Sequence, residues 1–192
     1  MNSSLKVIQL HKNESALIKS AIKNDRESQQ VLYELYAPKM LSVCRFYIKD
    51  FQQAEEAMLN GFFKVFSHLS SYRSEGSFEA WVRRIMVRES ISFLRQKKTI
   101  EFPVEDIDFK NDYTNNIKTD IEVAQIQELI DALPEGYKVV FVMYAIEGYK
   151  HHEIADMLHI TEGTSKSQLF KARKMLQEQW RELNKITSYG TK

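Results

Sequence analysis

The sequence is poor in the residues that break helices. Of 192 residues, six are Gly and three are Pro, too few for the turns of an all-β chain. Cysteine occurs once, at Cys44, within the apolar run LSVCRFYI. A lone cysteine excludes an internal disulfide, fits a reducing compartment and reads as a small core side chain. No apolar run reaches the length of a membrane span, and MNSSLKVIQLHKNE at the N-terminus is too weakly apolar for a signal peptide. A soluble, cytoplasmic protein is expected. Charge of one sign is not in excess either: 27 Lys and Arg against 26 Asp and Glu leave +1, so any affinity for nucleic acid must come from charge segregated along the chain. Catalytic patterns are also missing. Glu55 and Glu56 are adjacent and diverge by about 100° on a helix, a poor acid/base pair. His151, His152 and His159 have no Cys, Asp or Glu at metal-ligand spacing, and no Gly-rich loop could cradle a phosphate. An enzyme, a metal site and a cofactor are not expected.

What is present is helical. Hydrophobic residues make up 43% of the chain, enough for a core, and long Glu-, Lys-, Leu- and Gln-rich stretches predict an all-α protein. After a loose arm over 1–13, a short helix is expected over 14–24. A second helix begins near Asp25 or Ser28, with Val31, Leu32, Leu35 and Tyr36 on its apolar side and Pro38 interrupting it. A third spans 39–50 and a fourth 52–68. On the fourth, Ala54, Ala57, Met58, Gly61, Phe62 and Val65 share a face, while Glu55, Glu56, Asn60 and Lys64 point away. A polar loop, SHLSSYRSEGS, follows, and Ser77 can cap a helix over 78–98 whose apolar side is Phe78, Trp81, Val82 and Ile85. Between Trp81 and Lys98 stand six basic residues and one acid, Glu89, with Arg84, Arg88 and Arg95 on one stripe. The scarcity of compensating acids points to a polyanion partner rather than an ordinary solvated face.

Residues 99–120 change character, with six acids against two lysines and no periodicity; they read as an interdomain linker. Helices resume over 121–133 and from Pro134 to a C-terminal Gly148. The stretch KHHEIADMLHITEGTSKSQLFKARKML, 150–176, then reads as a helix-turn-helix. Thr161 caps the second helix, with Glu162 in its first turn. Leu169, Ala172, Leu176, Trp180 and Leu183 share one side. Gly163, Ser167, Phe170, Lys171 and Lys174 share the other, with Thr164 at its edge. An aromatic among lysines and hydroxyls suits a helix lying in a DNA major groove.

With these residues in view, the chain over residues 21–183 resembles the extracytoplasmic-function group of bacterial sigma factors. The segment LPEGYKVVFVMYAIEGYKHHEIADMLHITEGTSKSQLFKARKML is similar to the family's region 4, and AEEAMLNGFFKVF with FEAWVRRIMVRESISFLRQKK to its region 2. The resemblance implies two helical domains, region 2 over 14–98 and region 4 over 121–185, with 99–120 as a flexible acidic linker. It implies a factor that binds core RNA polymerase, through the β′ clamp helices and the β flap, and directs promoter-specific initiation. Tyr72, Trp81, Arg84, Arg88 and Arg95 would serve the -10 element, and Glu55, Glu56 and Asn60 the polymerase. His151, Thr164, Lys166, Ser167, Gln168, Phe170, Lys171 and Arg173 would serve the -35 element. An anti-sigma factor, often membrane-anchored in the family, is an implied partner.

The chain departs from the family's pattern at Glu56, Leu59 and Asn60, and again at Arg88 and Ser92, which implies an altered clamp or -10 contact. Ser165 and Gln168 stand where Val and Arg are usual, which implies an altered promoter preference. A helix-turn-helix regulator that binds DNA without joining polymerase is the alternative. It accounts for 150–176 but leaves the basic stretch and the domain order unexplained.

Overall fold

The computed structural model describes residues 14–97, 100, 102 and 123–189, with backbone only for 123, 124 and 184–189. The expected arm over 1–13, nearly all of the linker and the end of the tail lie outside the described residues. The chain divides into two compact units, Met1–Phe93 and Leu94–Lys192. Among the described residues every regular element is helical, and no helix is long and apolar enough to cross a membrane.

The first unit is built from α1 (14–22), α2 (Arg26–Tyr47), α3 (Phe51–Ser67), a single 3₁₀ turn (Leu69–Ser71) and α4 (Phe78–Gln96). Its helix starts follow local chemistry. Asp25 accepts from the Ser28 N–H at 3.0 Å and Asp50 from the Gln53 N–H at 2.9 Å, and Ser77 Oγ accepts from the Ala80 N–H at 3.2 Å. One expectation fails: Pro38 does not interrupt a helix but lies inside α2. The missing N–H and the ring clash cost about 3 kcal/mol. Buried Tyr36 and Met40 on either side, followed by Val43, Cys44 and Tyr47, hold both halves on one core, which outweighs that cost. Val31 and Leu35, expected on the apolar side, are exposed. The core is formed by Leu32, Met40 and Val43 of α2, Ala57, Met58 and Phe62 of α3, and Val82, Met86 and Val87 of α4. Cys44 lies within it, and burial, the largest cause, pushes its thiol up to about 11. It stays protonated and inert.

The second unit holds α5 (Val123–Asp131), α6 (Glu135–Phe141), which widens into a π turn (Val142–Ile146), α7 (His151–Leu158) and α8 (Glu162–Tyr189). Gly148, at φ 78°, turns the chain after the π turn as expected of a C-terminal glycine. α8 packs on α5, α6 and α7, and Val139, Val140, Met143, Ile154, Leu158, Leu169 and Ala172 form the core. Ile126, expected on the buried face of α5, is exposed, and so is Leu183 of α8.

Candidate nucleic-acid interface

In the second unit, α7 and α8 meet at a tight corner. His159 takes the left-handed conformation (φ 56°, ψ 45°), and the Ile160 N–H reaches back to the Ala155 carbonyl at 3.1 Å. Thr161 Oγ1 accepts from the Thr164 N–H at 3.0 Å, the cap expected from sequence. The start of α7 is closed by Glu153, whose carboxylate accepts from the Lys150 N–H at 2.8 Å.

The side chains along α8 sort differently from the sequence reading. Ser167 and Gln168, both expected to face DNA, are buried, and so is Ser165. The buried arc of the helix runs through Ser165, Gln168, Leu169 and Ala172, at i, i+3, i+4 and i+7, so polar and apolar residues share one packed face. Ser167 lies off that arc, with its hydroxyl turned back onto its own helix and donating to the Thr164 carbonyl at 2.9 Å. Gln168, on the packed face, cannot present its amide to a base edge while the helix stays packed.

The outward arc carries Gly163, Lys166, Lys174 and, between them, the half-buried Phe170, with Thr164, Lys171 and Arg173 half-buried at its flanks. Lys166 lies 3.6 Å from Glu162, one turn earlier, with both side chains about half exposed. Such a pair contributes little to stability and leaves the ammonium available. Two cations are steadied by aromatic rings that the sequence reading passed over. The Lys171 ammonium stands 5.9 Å from the centre of the Tyr137 ring, and the Arg173 guanidinium 5.5 Å from that of Tyr144. Tyr144 also stacks on His151, centroids 4.7 Å apart at 25°, and His151 Nδ1 lies 2.9 Å from the Ser165 hydroxyl. Burial, the largest cause, holds the His151 imidazole below its ordinary pKa, and Lys166 and Arg173 push the same way against Glu162.

In the first unit, Arg84 and Arg88 are exposed one turn apart on α4; Arg95, exposed near the end of that helix, lies past the unit's last residue, Phe93. Among the described residues neither Arg84 nor Arg88 has a side-chain partner. Glu89, the one acid of this stretch, is taken by Lys64 of α3. Trp81 and Tyr72 are half-buried and belong to an aromatic cluster: Tyr72 meets Phe78 at 5.2 Å and Trp81 at 5.5 Å, and Phe78 stacks on Trp81 at 5.8 Å. The Tyr72 hydroxyl donates to the Gly76 carbonyl at 2.9 Å. That bond closes residues 72–76 into a turn just ahead of α4. Burial raises the Tyr72 phenol above its ordinary pKa, and Glu14 adds to the effect.

Glu55, Glu56 and Asn60 are exposed on α3, as their phase predicts. They share that face with residues the sequence reading did not weigh as a surface: Leu59 is 50% exposed and Phe63 74%. The signal was present. Leu59 and Phe63 are one turn apart and off the Ala54, Ala57, Met58, Gly61, Phe62 and Val65 stripe.

Among the described residues no three His, Cys, Asp or Glu side chains gather into a metal-sized group. The surfaces on offer are two arrays of cations beside aromatic rings, and one apolar strip among acids. Residues 32–100 match the family model for sigma-70 region 2, and residues 124–176 that for sigma-70, region 4. The chain belongs to the sigma-70 family. Among the proteins it is similar to are sigma factors of the extracytoplasmic-function group. It is 24% identical over 179 residues to the ECF RNA polymerase sigma factor SigW of Bacillus subtilis, covering 86% of this chain and 96% of that one. It is 23% identical over 174 residues to the RNA polymerase sigma-H factor of Pseudomonas aeruginosa, covering 83% and 90%. Its fold is similar to that of the sigma factor RpoE of Bartonella quintana, solved with the anti-sigma factor NepR. The TM-score is 0.52, with 16% identity and coverage of 79% of this chain and 96% of that one. As a sigma factor, the chain directs promoter-specific initiation by RNA polymerase.

Proposed function

We propose that this sigma factor divides the work between its two units as follows. The region 2 unit, taken as 14–98, docks on the β′ clamp helices of core RNA polymerase through the exposed face of α3. Glu55, Glu56 and Asn60 supply its polar contacts, with Leu59 and Phe63 between them. Arg84, Arg88 and Arg95 hold the phosphates of the -10 element, while the Tyr72–Trp81 cluster forms the wall against which an unpaired base is captured. The region 4 unit, taken as 121–185, docks on the β flap and lays α8 in the major groove of the -35 element. Thr164, Phe170 and Lys171 then face base edges, and His151, Lys166 and Arg173 hold phosphates. Residues 99–120 are the acidic linker. The protein works in the cytoplasm, performs no covalent chemistry of its own, and is held in reserve by an anti-sigma factor that covers its polymerase-binding surfaces.

The observation that carries this reading is the exposed Arg84–Arg88 pair beside the aromatic loop, in the same chain as the helix-turn-helix. A regulator that binds DNA without polymerase needs the second and has no use for the first. Run-off transcription with purified core enzyme on a promoter library tests it. Promoter-dependent transcripts with shared -35 and -10 sequences are expected. Failure to form a holoenzyme would sink the reading.

A further inference from the structure

Ser165 is fully buried, and its hydroxyl sits 2.9 Å from Nδ1 of His151. A hydroxyl sealed from water must give its proton to an acceptor. Among the described residues Nδ1 is the partner Oγ has. Ser90 and Ser167 turn their hydroxyls back onto carbonyls of their own helices, Met86 and Thr164, but Ser165 Oγ is turned to the imidazole instead. In that rotamer, a hydrogen on Nδ1 would leave the buried O–H of Ser165 without an acceptor among the described residues. The hydroxyl therefore donates and Nδ1 accepts.

That direction settles the state of the ring. A neutral imidazole carries one N–H, so with Nδ1 as acceptor the hydrogen is on Nε2. An imidazolium donates from both nitrogens and would face the Ser165 hydroxyl with a second donor. The surroundings agree: the ring is stacked on Tyr144, whose own ring holds the Arg173 guanidinium, so a second cation there is disfavoured. Nε2 is not among the polar atoms sealed from solvent without a partner. It reaches solvent in the first turn of α7, the end of a helix that favours anions.

We propose that Ser165 is a positioning residue: its buried hydroxyl locks His151 as the Nε2–H tautomer and aims that N–H outward as a neutral donor to a DNA phosphate oxygen. The inference rests on the reading of α7 and α8 as the -35 binding unit. It gives Ser165, an unusual residue at this point of region 4, a role that does not touch a base. Because the donor is neutral, its phosphate contact releases no extra counterion, unlike a contact made by Lys.

Two measurements test this on the full chain. Long-range ¹H–¹⁵N correlation spectra of the ¹⁵N-histidine protein report the tautomer directly. A single Nε2–H pattern for His151 is expected, becoming a mixture of tautomers in Ser165→Ala. Ser165→Cys, which keeps the volume and offers a weak donor, should fall between them and guards against an Ala variant that packs poorly. Affinity of the holoenzyme for a promoter chosen by run-off transcription supplies the second readout. Ser165→Ala should weaken it about three- to tenfold. In a His151→Gln background, where the amide provides an outward N–H without needing an acceptor at Nδ1, Ser165→Ala should cost nothing more. An Nδ1–H imidazole in a protein that transcribes normally would overturn the positioning role by itself, as would an equal cost of Ser165→Ala in both backgrounds. The expected tautomer in a protein that forms no holoenzyme would overturn the phosphate role together with the functional reading.

Discussion

A β-carbon on Gly61 of α3 would overlap the Sδ atom of Met86 of α4 and would lie 3.0 Å from its Cε. Met86 is fully buried, so its thioether cannot swing into solvent to make room. Alanine would gain about 1 kcal/mol of helix propensity at Gly61, but overpacking a fixed core costs about 1–3 kcal/mol. Gly61→Ala is therefore expected to destabilise the first unit by about 1 kcal/mol net, read as a lower urea midpoint. Met86→Val removes Sδ and Cε and should recover part of the loss in the double variant. An unchanged midpoint for Gly61→Ala would show that the two helices part freely.

Phe63 and Leu59 have little folded-state neighbourhood to lose. Phe63→Ser with Leu59→Ser should shift stability by no more than about 0.5 kcal/mol each. The same pair should weaken association with core polymerase at least about tenfold, because a few side chains that become buried carry most of the binding energy of such interfaces. Fluorescence anisotropy of the labelled protein against core enzyme measures it. Undiminished binding would move the polymerase contact off this face of α3.

Gln168 was expected to read promoter sequence, and its burial assigns it to packing instead. Gln168→Ala should destabilise the second unit by about 1–3 kcal/mol through the cavity it opens at a fully buried position. The set of -35 sequences selected from a library should stay the same. A changed selection with unchanged stability would return Gln168 to the groove.

Lys166 and Lys174 project from the outward arc of α8. Replacing either with Ala should weaken promoter binding about equally across sequences and reduce the slope of log affinity against log salt by about 1. Phe170→Ala should instead leave the salt slope alone and change which -35 bases are accepted. A salt slope unmoved by both lysine replacements would exclude that arc as the phosphate-facing side.

The depressed pKa of His151 has a consequence for stability. A histidine held neutral by the fold binds its proton more readily when unfolded. Its contribution is therefore present above the ordinary imidazole value of about 6.5 and is lost as pH falls through the lower folded value. Tyr144 on the π turn and Lys166, Arg173 and Glu162 on α8 are the groups that face it. Thermal midpoints measured between about pH 5 and about pH 8 should fall more steeply on the acid side in the parent protein than in His151→Gln. Parallel profiles would show that another group governs the acid limb.

Much of the fold was legible because its signals are local. The caps at Ser77 and Thr161, the turn at Gly148 and the buried stripe of α3 each depend on residues within a turn or two of one another. Pro38 was misread because its effect depends on what both halves of α2 pack against. Val31, Leu35 and Ile126 were misread because an apolar residue at the right phase is buried only if a neighbouring helix covers it.

For the functional surfaces the division is sharper. Residue order alone told that cations are segregated over 81–98, that acids are concentrated over 99–120 and that a helix-turn-helix closes the chain, since charge density and helical phase are properties of a single segment. Which side of α8 meets solvent was decided by α5, α6 and α7 packing against it. That packing buries Ser165 and Gln168 and leaves Lys166 and Lys174 outside. Likewise, His151, Tyr144, Ser165 and Arg173 come from three elements, and only tertiary contact joins a ring stack, a hydrogen bond and a cation into one support for a single imidazole.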